Sequence, residues 1–119
     1  MNRRKELKSA YKQTPLPMGV YRIKNNVNGK IFVAAGMNLP GSLNSNRFQL
    51  NLRCHRNKAL QEDWDRHGAG AFTFDVVETL EPEQIPENNR QDAVAALEEK
   101  WLQSLQPYGD KGYNKPKKS

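Results

Sequence analysis

The pattern of hydrophobic and polar residues predicts a β-hairpin near the start of the chain. Residues 19–25 alternate between apolar and polar positions and are rich in β-forming side chains. Asn28-Gly29 follows, a dipeptide typical of two-residue hairpin turns, and residues 30–35 supply a return strand. Two strands joined by so short a turn must run antiparallel.

The turn also predicts which side chains share a face of this hairpin. If residues 27 and 30 flank the turn, Ile23 pairs with Ala34, and a four-residue loop would shift this pairing but keep its parity. Because side chains alternate along a strand, either register gives the same face. The predicted face comprises Tyr21, Ile23, Phe32 and Ala34.

Helical periodicity replaces the alternation after the hairpin. Pro40 and Gly41 are expected to delay a first helix until about Ser42. A second helix is predicted over residues 55–67, and Gly68 takes the position of its C-cap.

A third strand and a long final helix complete the predicted core. Residues 72–77 alternate again, and residues 91–105 form a regular amphipathic helix that Pro107 ends. The order hairpin, two helices, strand and helix predicts an α+β fold. Its sheet would have three strands, mainly antiparallel, flanked by about three core helices.

The length of 119 residues suits one domain with a modest core. We predict that this domain covers residues 18–114. Residues 1–17 would form a short basic N-terminal helix and extension, and residues 115–119 a basic tail.

The formal net charge of +6 is unevenly distributed. Residues 22–66 contain eight Arg or Lys against three acids, whereas residues 75–99 contain eight acids against one Arg. A field polarised in this way can attract a polyanion such as nucleic acid to one side of the protein. The same charges are also compatible with a function in solubility alone.

The composition argues against several other classes of protein. No run of 18 apolar residues is present, and no apolar signal-peptide core follows the basic N-terminus. The single cysteine, Cys54, precludes an internal disulfide or a Cys-only zinc site, and we expect it to be a small packing residue. A cytoplasmic protein that is not embedded in a membrane is therefore expected.

One carboxylate of the final helix faces the predicted core. On a helical wheel Glu98 falls inside the arc of apolar side chains, whereas its neighbour Glu99 falls outside. A carboxylate in that position costs free energy unless it is paired or binds a cation. Glu98 therefore extends toward solvent at the edge of the helix, pairs with an Arg or Lys, or binds a cation.

Tyr21 and His55 each admit a structural and a chemical interpretation. A tyrosine on a strand is commonly an amphipathic packing residue, and a histidine at a helix start is commonly a capping or surface residue. The sequence has no Gly-rich phosphate loop, GxSxG or HExxH motif, and two His with one Cys cannot form a typical structural zinc site. Other common catalytic motifs are thus absent from it.

Taken in order, these residues resemble the motifs of the GIY-YIG nuclease family. The similar segments are Gly19-Val20-Tyr21, residues 29–34, residues 55–61, Phe72-Thr73-Phe74, Glu98 with Trp101, and Gly112-Tyr113-Asn114. The resemblance covers about residues 18–114. The ordered set is a far stronger indication than any one of its members.

The resemblance implies a metal-dependent phosphodiesterase with a division of roles. Glu98 would hold one divalent metal ion, Mg²⁺ or Mn²⁺, at the scissile phosphate. Tyr21 would act as general base or position the attacking water, and His55 would assist proton movement or contact the phosphate. Asn114 would brace the site from the C-terminal turn. Phe32 occupies the place of a second catalytic tyrosine.

The chain departs from the family pattern at three positions. Phe32 keeps the aromatic ring of the second motif without its hydroxyl, and Ala34 replaces the glycine of that motif. The arginine that the family carries on its first helix would fall at Ser42. The remaining candidates for a phosphate-binding guanidinium are Arg47, Arg53 and Arg56.

The resemblance therefore implies an endonuclease that acts on DNA, with an activity that these departures would weaken. A nucleic-acid-binding module that keeps the fold without hydrolysis is the main alternative, and a protein–protein adaptor is a third. Low sequence specificity is expected, since basic tails hold phosphates without reading base edges. A monomer is the default expectation for the oligomeric state.

Overall fold

Residues 16–116 are described by the computed structural model, in which a three-stranded antiparallel sheet is flanked by three α-helices. In chain order the elements are β1 (Met18–Asn25), β2 (Ile31–Gly36), α1 (Leu39–Asn51), α2 (Lys58–His67), β3 (Phe72–Leu80) and α3 (Arg90–Leu105). The predicted α+β fold is thus confirmed. The predicted N-terminal helix lies outside the described residues, as do the last three residues of the basic tail.

The strand order is β2-β1-β3, and both pairings are antiparallel. Within the hairpin, Tyr21 pairs with Ala34 and Ile23 with Phe32. The predicted pairing of Ile23 with Ala34 was therefore wrong by one register step of two residues. The predicted face is nevertheless the correct one, because the shift preserves parity.

The shift arises from a four-residue loop at residues 26–29 in place of a two-residue turn. The Asn25 N–H donates to the Lys30 carbonyl oxygen at 2.9 Å, and the Gly29 N–H donates to the Asn25 carbonyl at 2.8 Å. The Asn25 side-chain oxygen also accepts the Val27 N–H at 2.9 Å. Asn25 organises the loop with its backbone and side chain, and this local bonding sets the loop length.

Two hydrophobic clusters cover the opposite faces of the sheet. The cluster on the side of α1 and α2 contains Ile23, Leu50, Leu60, Trp64, Phe72 and Tyr113. The cluster on the side of α3 contains Val20, Val33, Leu97 and Leu102. The side chain of Tyr21 lies on the α1 side, since it alternates with Val20 along β1.

The helix α1 begins earlier than the sequence predicted. It starts at Leu39, because Pro40 lies in the first turn, where its missing N–H breaks no helical bond. The side-chain oxygen of Asn38 accepts the Gly41 N–H at 3.2 Å and caps the helix. The expected delay to Ser42 was wrong, because a proline disrupts the interior of a helix but is tolerated in its first turn.

The helix α2 begins later than predicted. Its cap is Asn57, whose side-chain oxygen accepts the Leu60 N–H at 3.0 Å, so the helix starts at Lys58. His55 therefore precedes the helix instead of opening it. Gly68 takes the C-cap with a φ of 86°, as predicted.

Two smaller expectations need correction. The strand β3 continues to Leu80, beyond the predicted end, and its pairing with β1 shifts between Val20 and Tyr21. Cys54 is exposed in the connection after α1, so its predicted role in packing was wrong.

None of the helices within residues 16–116 has the length and apolar character that a membrane crossing needs.

The C-terminal segment is anchored to the hairpin through Tyr113. Its hydroxyl donates to the Asp63 carboxylate at 2.6 Å and accepts from the side-chain amide of the fully buried Asn25 at 3.0 Å. Burial and the Asp63 carboxylate raise the pKa of Tyr113 to about 12, so the phenol remains a donor at neutral pH. One hydroxyl thus links the C-terminal turn, α2 and the end of β1.

Replacing Tyr113 with phenylalanine is expected to lower the free energy of unfolding by about 1–3 kcal/mol, because the buried Asn25 amide loses its partner. Thermal and urea denaturation measure the change. The matched control is Tyr108→Phe, since Tyr108 is only partly buried. Equal stability of the two variants would contradict the assigned role of the Tyr113 hydroxyl.

Candidate active site

The phenol of Tyr21 lies at the centre of the candidate site. Tyr21 belongs to the central strand, between Ala34 of β2 and Val76 of β3, and is 5% exposed. Its hydroxyl oxygen accepts a hydrogen bond from the side-chain Nδ2 of Asn46 on α1 at 2.8 Å. Pairing on both sides holds this strand in place, so the phenol is carried on a rigid element.

His55 joins the same group through Asn46. Its Nε2 lies 2.6 Å from the Oδ1 of Asn46, and its Nδ1 accepts the backbone N–H of Asn57 at 3.0 Å. The imidazole is 6% exposed, and the ring of Phe32 packs edge-on against it at 5.6 Å. The structure therefore brings the predicted Tyr21, His55 and Phe32 to one side of the sheet.

An open pocket of about 330 Å³ begins at the Tyr21 side chain. Its lining residues are Tyr21, Ala35, Asn38, Gly41, Ser42, Ser45, Asn46, Gln49 and Arg56. All the described side chains of this lining are uncharged at neutral pH except that of Arg56. The pocket is therefore polar, open to solvent and positively charged on one side.

The three candidate arginines lie in different places. Arg56 lines the Tyr21 pocket, next to His55 in the chain. The Arg47 guanidinium stacks on the ring of Phe74, 4.5 Å from its centroid, in a separate pocket. The exposed Arg53 lies 3.9 Å from the Asp65 carboxylate. Arg56 is thus the candidate that reaches the phenol.

Glu98 approaches Tyr21 from the other layer of the fold. The helix α3 packs on the face of the sheet opposite α1 and contacts both β1 and β2. Its Glu98 carboxylate is partly buried, and its charge is the smallest of the four influences on the pKa of the Tyr21 phenol, which it raises. Glu98 does not belong to the lining of the Tyr21 pocket, so the binding of one cation between the two groups stays a prediction.

The pKa of Tyr21 is raised overall from its ordinary value. Burial is the largest cause, and the Glu98 charge adds to it; the hydrogen bond from Asn46 and the Arg56 charge oppose it. The phenol is consequently protonated at neutral pH. It can donate a hydrogen bond but is a poor general base without a further cation.

The pKa of His55 is lowered from its ordinary value. Burial disfavours the charged imidazolium, and the positive charge of Arg56 disfavours it further. The ring is therefore neutral at pH 7. A neutral, buried imidazole with both nitrogens bonded has no free position for a phosphate oxygen.

Asn114 holds the edge strand β2 from the C-terminal turn. Its side-chain Oδ1 accepts the Val33 N–H at 2.9 Å, and its Nδ2 donates to the Val33 carbonyl at 2.7 Å. The amide therefore bonds β2 as a neighbouring strand would. This position agrees with a brace next to the site and not with a group inside the pocket.

Asn46 was missed by the sequence analysis. It lies one helical turn after Ser42, so both residues share one face of α1. Nothing in the sequence, however, indicates that Asn46 contacts His55, nine residues later. Their contact depends on the path of the chain between α1 and α2.

No family model matches the chain, and neither does any curated protein. Two solved structures are similar to it, each with a TM-score of 0.68. The first is the catalytic domain of the homing endonuclease I-TevI, which is 26% identical and covers 84% of this chain and 99% of that chain. The second is a mutant of the catalytic domain of the intron endonuclease I-TevI, 24% identical, covering 83% of this chain and 93% of that chain.

Proposed function

We propose that this chain, whose fold is that of the GIY-YIG-like superfamily, is a divalent-metal-dependent nuclease that hydrolyses phosphodiester bonds in DNA. The observation that carries the proposal is the pocket that Tyr21, Asn46 and Arg56 line together, in a fold similar to that of an endonuclease catalytic domain. Similarity to the catalytic domain of a homing endonuclease supports DNA as the substrate. The cytoplasmic location and the domain limits predicted from sequence belong to the same proposal.

The carboxylate of Glu98 is an oxygen donor of the kind that a hard divalent cation prefers. Mg²⁺ in phosphoryl-transfer sites is commonly bound through one or two carboxylates and keeps several waters. Within residues 16–116 no three His, Cys, Asp or Glu side chains form a cluster, so a caged or zinc-like site does not fit these residues. Glu98 would hold Mg²⁺ or Mn²⁺, which when bound offsets negative charge on the phosphate.

Tyr21 would position the attacking water or a phosphate oxygen. Its oxygen already accepts from Asn46, so its own hydrogen is available to another acceptor. Because its pKa is raised, this donor function suits neutral pH better than that of a free general base. Of the two roles that the family resemblance implies, positioning is the better supported.

Arg56 would stabilise the charge that develops on the phosphate. Its guanidinium lines the pocket to which Ser42, at the position of the family's first-helix arginine, contributes only a hydroxyl. A guanidinium can bind two phosphate oxygens at once and keeps its charge at every relevant pH. The chain would thus supply the guanidinium from the loop before α2 and not from α1.

The proposal is tested with the full chain and supercoiled plasmid. We expect nicking in Mg²⁺ or Mn²⁺, abolished by a chelator, and a rate about 10²-fold lower in Tyr21→Phe, which keeps the ring but removes the hydroxyl. Tyr108→Phe is the control, since Tyr108 does not line the pocket. Plasmid that stays intact with wild-type protein in both metals would refute the proposed hydrolysis.

A nucleic-acid-binding module without hydrolysis is the second candidate, favoured by Ser42 and Phe32 at positions where the family motifs carry Arg and Tyr. It predicts DNA binding whose affinity falls steeply as the salt concentration rises, with no nicking. Absence of both binding and nicking would leave the protein–protein adaptor.

A further inference from the structure

The Asn46 side chain makes three hydrogen bonds to other residues. Its Nδ2 donates to the Ser42 carbonyl at 2.8 Å and to the Tyr21 hydroxyl at 2.8 Å. Its Oδ1 faces His55 Nε2 at 2.6 Å. The amide is therefore held at three points, between the helix α1, the strand β1 and the loop before α2.

Only one orientation of this amide satisfies its neighbours. The Ser42 carbonyl can only accept, so the Asn46 atom facing it must be the NH₂ group. The oxygen must then face His55, whose Nε2 consequently carries a proton. On the other side of the ring, the backbone N–H of Asn57 can only donate, so Nδ1 must be unprotonated.

These two constraints are independent and agree. One comes from a carbonyl on α1 and the other from an amide beyond the imidazole, and both require the neutral ring with its proton on Nε2. Every donor then points the same way, from Asn57 to His55, to Asn46 and finally to the oxygen of Tyr21. The Tyr21 oxygen accepts the last hydrogen bond of this series, and the phenol keeps its own hydrogen for another acceptor.

A side-chain amide cannot pass protons along such a series of hydrogen bonds, because its NH₂ group is not acidic in water. His55 therefore cannot exchange a proton with Tyr21 through Asn46. Its buried position also removes it from direct contact with a phosphate. What the ring supplies is a fixed donor that orients the Asn46 amide.

We propose that Asn46 is the positioning residue of this site, and that His55 acts only through it. The amide holds the oxygen of Tyr21 from the α1 side, so that the phenol hydrogen is directed toward a water or phosphate in the pocket. The effect on cleavage rests on the proposed nuclease function, whereas the bonding pattern can be tested without it.

The bonding pattern is tested by ¹⁵N NMR of the imidazoles in the wild-type chain. We expect His55 to be neutral at pH 7 with its proton on Nε2, while the half-exposed His67 serves as an internal reference. A proton on Nδ1, or a charged ring at pH 7, would overturn the assignment. This measurement needs no variant and no nuclease activity.

The role in cleavage is tested at His55 itself. Glutamine carries an N–H donor at nearly the position of Nε2 but cannot act as an acid or base at neutral pH. We expect His55→Gln to keep kcat within about tenfold of wild type, and His55→Leu to lose about 10²-fold. If both variants lose activity equally, His55 does more than orient Asn46 and the proposal fails.

Asn46→Asp tests the direction of the bond to Tyr21. The substitution is isosteric, yet it places an acceptor where Nδ2 donates, so the bond to the Ser42 carbonyl is lost and the phenol hydrogen turns inward. We expect kcat to fall about 10- to 100-fold with little change in KM, as one inverted hydrogen bond suggests. Asn44→Asp adds the same charge to an exposed position of the same helix and should leave kcat unchanged.

The outcomes separate the two proposals. Equal kinetics for Asn46→Asp and Asn44→Asp would overturn the assignment of Asn46, while wild-type cleavage would leave the nuclease function standing. If wild-type protein does not cleave DNA at all, the NMR result alone decides the bonding pattern.

Discussion

Replacing Glu98 with glutamine is expected to lower the rate of DNA cleavage by about three orders of magnitude. The substitution keeps the shape of the side chain but removes the charge that would hold the divalent cation. A bound cation contributes several kcal/mol to charge stabilisation in the transition state, and each 1.36 kcal/mol is about tenfold in rate. Single-turnover nicking of supercoiled plasmid at saturating Mg²⁺ measures the loss.

A second measurement on Glu98→Gln does not depend on activity. The Glu98 charge raises the pKa of the Tyr21 phenol, so its removal should lower that pKa toward the ordinary value. An ultraviolet titration of the phenolate, corrected with Tyr21→Phe, detects the shift. Asp92→Asn is the matched control, since Asp92 is an exposed carboxylate in the first turn of the same helix.

Two results would count against this role of Glu98. Cleavage by Glu98→Gln within tenfold of wild type would show that the carboxylate does not hold an essential cation. An unchanged titration of Tyr21 would show that the two groups are not coupled in solution. Either result would leave the fold intact and remove the support that Glu98 gives to catalysis.

Replacing Arg56 with glutamine is expected to lower kcat by about 10²–10³-fold, the usual cost of removing one group that stabilises transition-state charge. Arg56 is the candidate arginine that lines the Tyr21 pocket, and its charge lowers the pKa of both Tyr21 and His55. The variant should therefore also raise the pKa of each of these two groups. Cleavage kinetics and the ¹⁵N titration of His55 test both expectations.

Arg53→Gln is the control for Arg56, because both arginines lie in the connection between α1 and α2. Arg53 is largely exposed and faces Asp65, away from the phenol. Its substitution should weaken DNA binding slightly, as the loss of one distant charge does, and should leave kcat unchanged. If the two variants behave alike, the effect of Arg56 comes from general attraction of the DNA polyanion. It does not then come from a guanidinium located at the phosphate.

The hairpin shows how far local pattern can predict a face without predicting a register. Alternation fixes parity, so Tyr21, Ile23 and Phe32 were assigned to one face correctly. The loop length depended on the bonds that Asn25 makes with its backbone and side chain, which composition does not reveal. The register was therefore wrong while the face was right.

Helix boundaries depended on which residue supplied the cap. Asn38 and Asn57 accept N–H groups of α1 and α2, and both were passed over in favour of proline and histidine as boundary signals. Either start places Ser42 and Asn46 on one face of α1, so the wrong boundary did not conceal Asn46. A competing local hydrogen bond decided each boundary.

By itself the sequence determined the α+β class, the order of its elements and the shared face of the hairpin, because these follow from periodicities of two and 3.6 residues within single elements. The tertiary structure alone decided that Arg56 reaches the Tyr21 pocket, that Asn46 joins His55 to the phenol, and that α3, which carries Glu98, packs on the opposite face of the sheet. Those contacts connect different elements, and their geometry depends on loop paths and packing that no local pattern specifies.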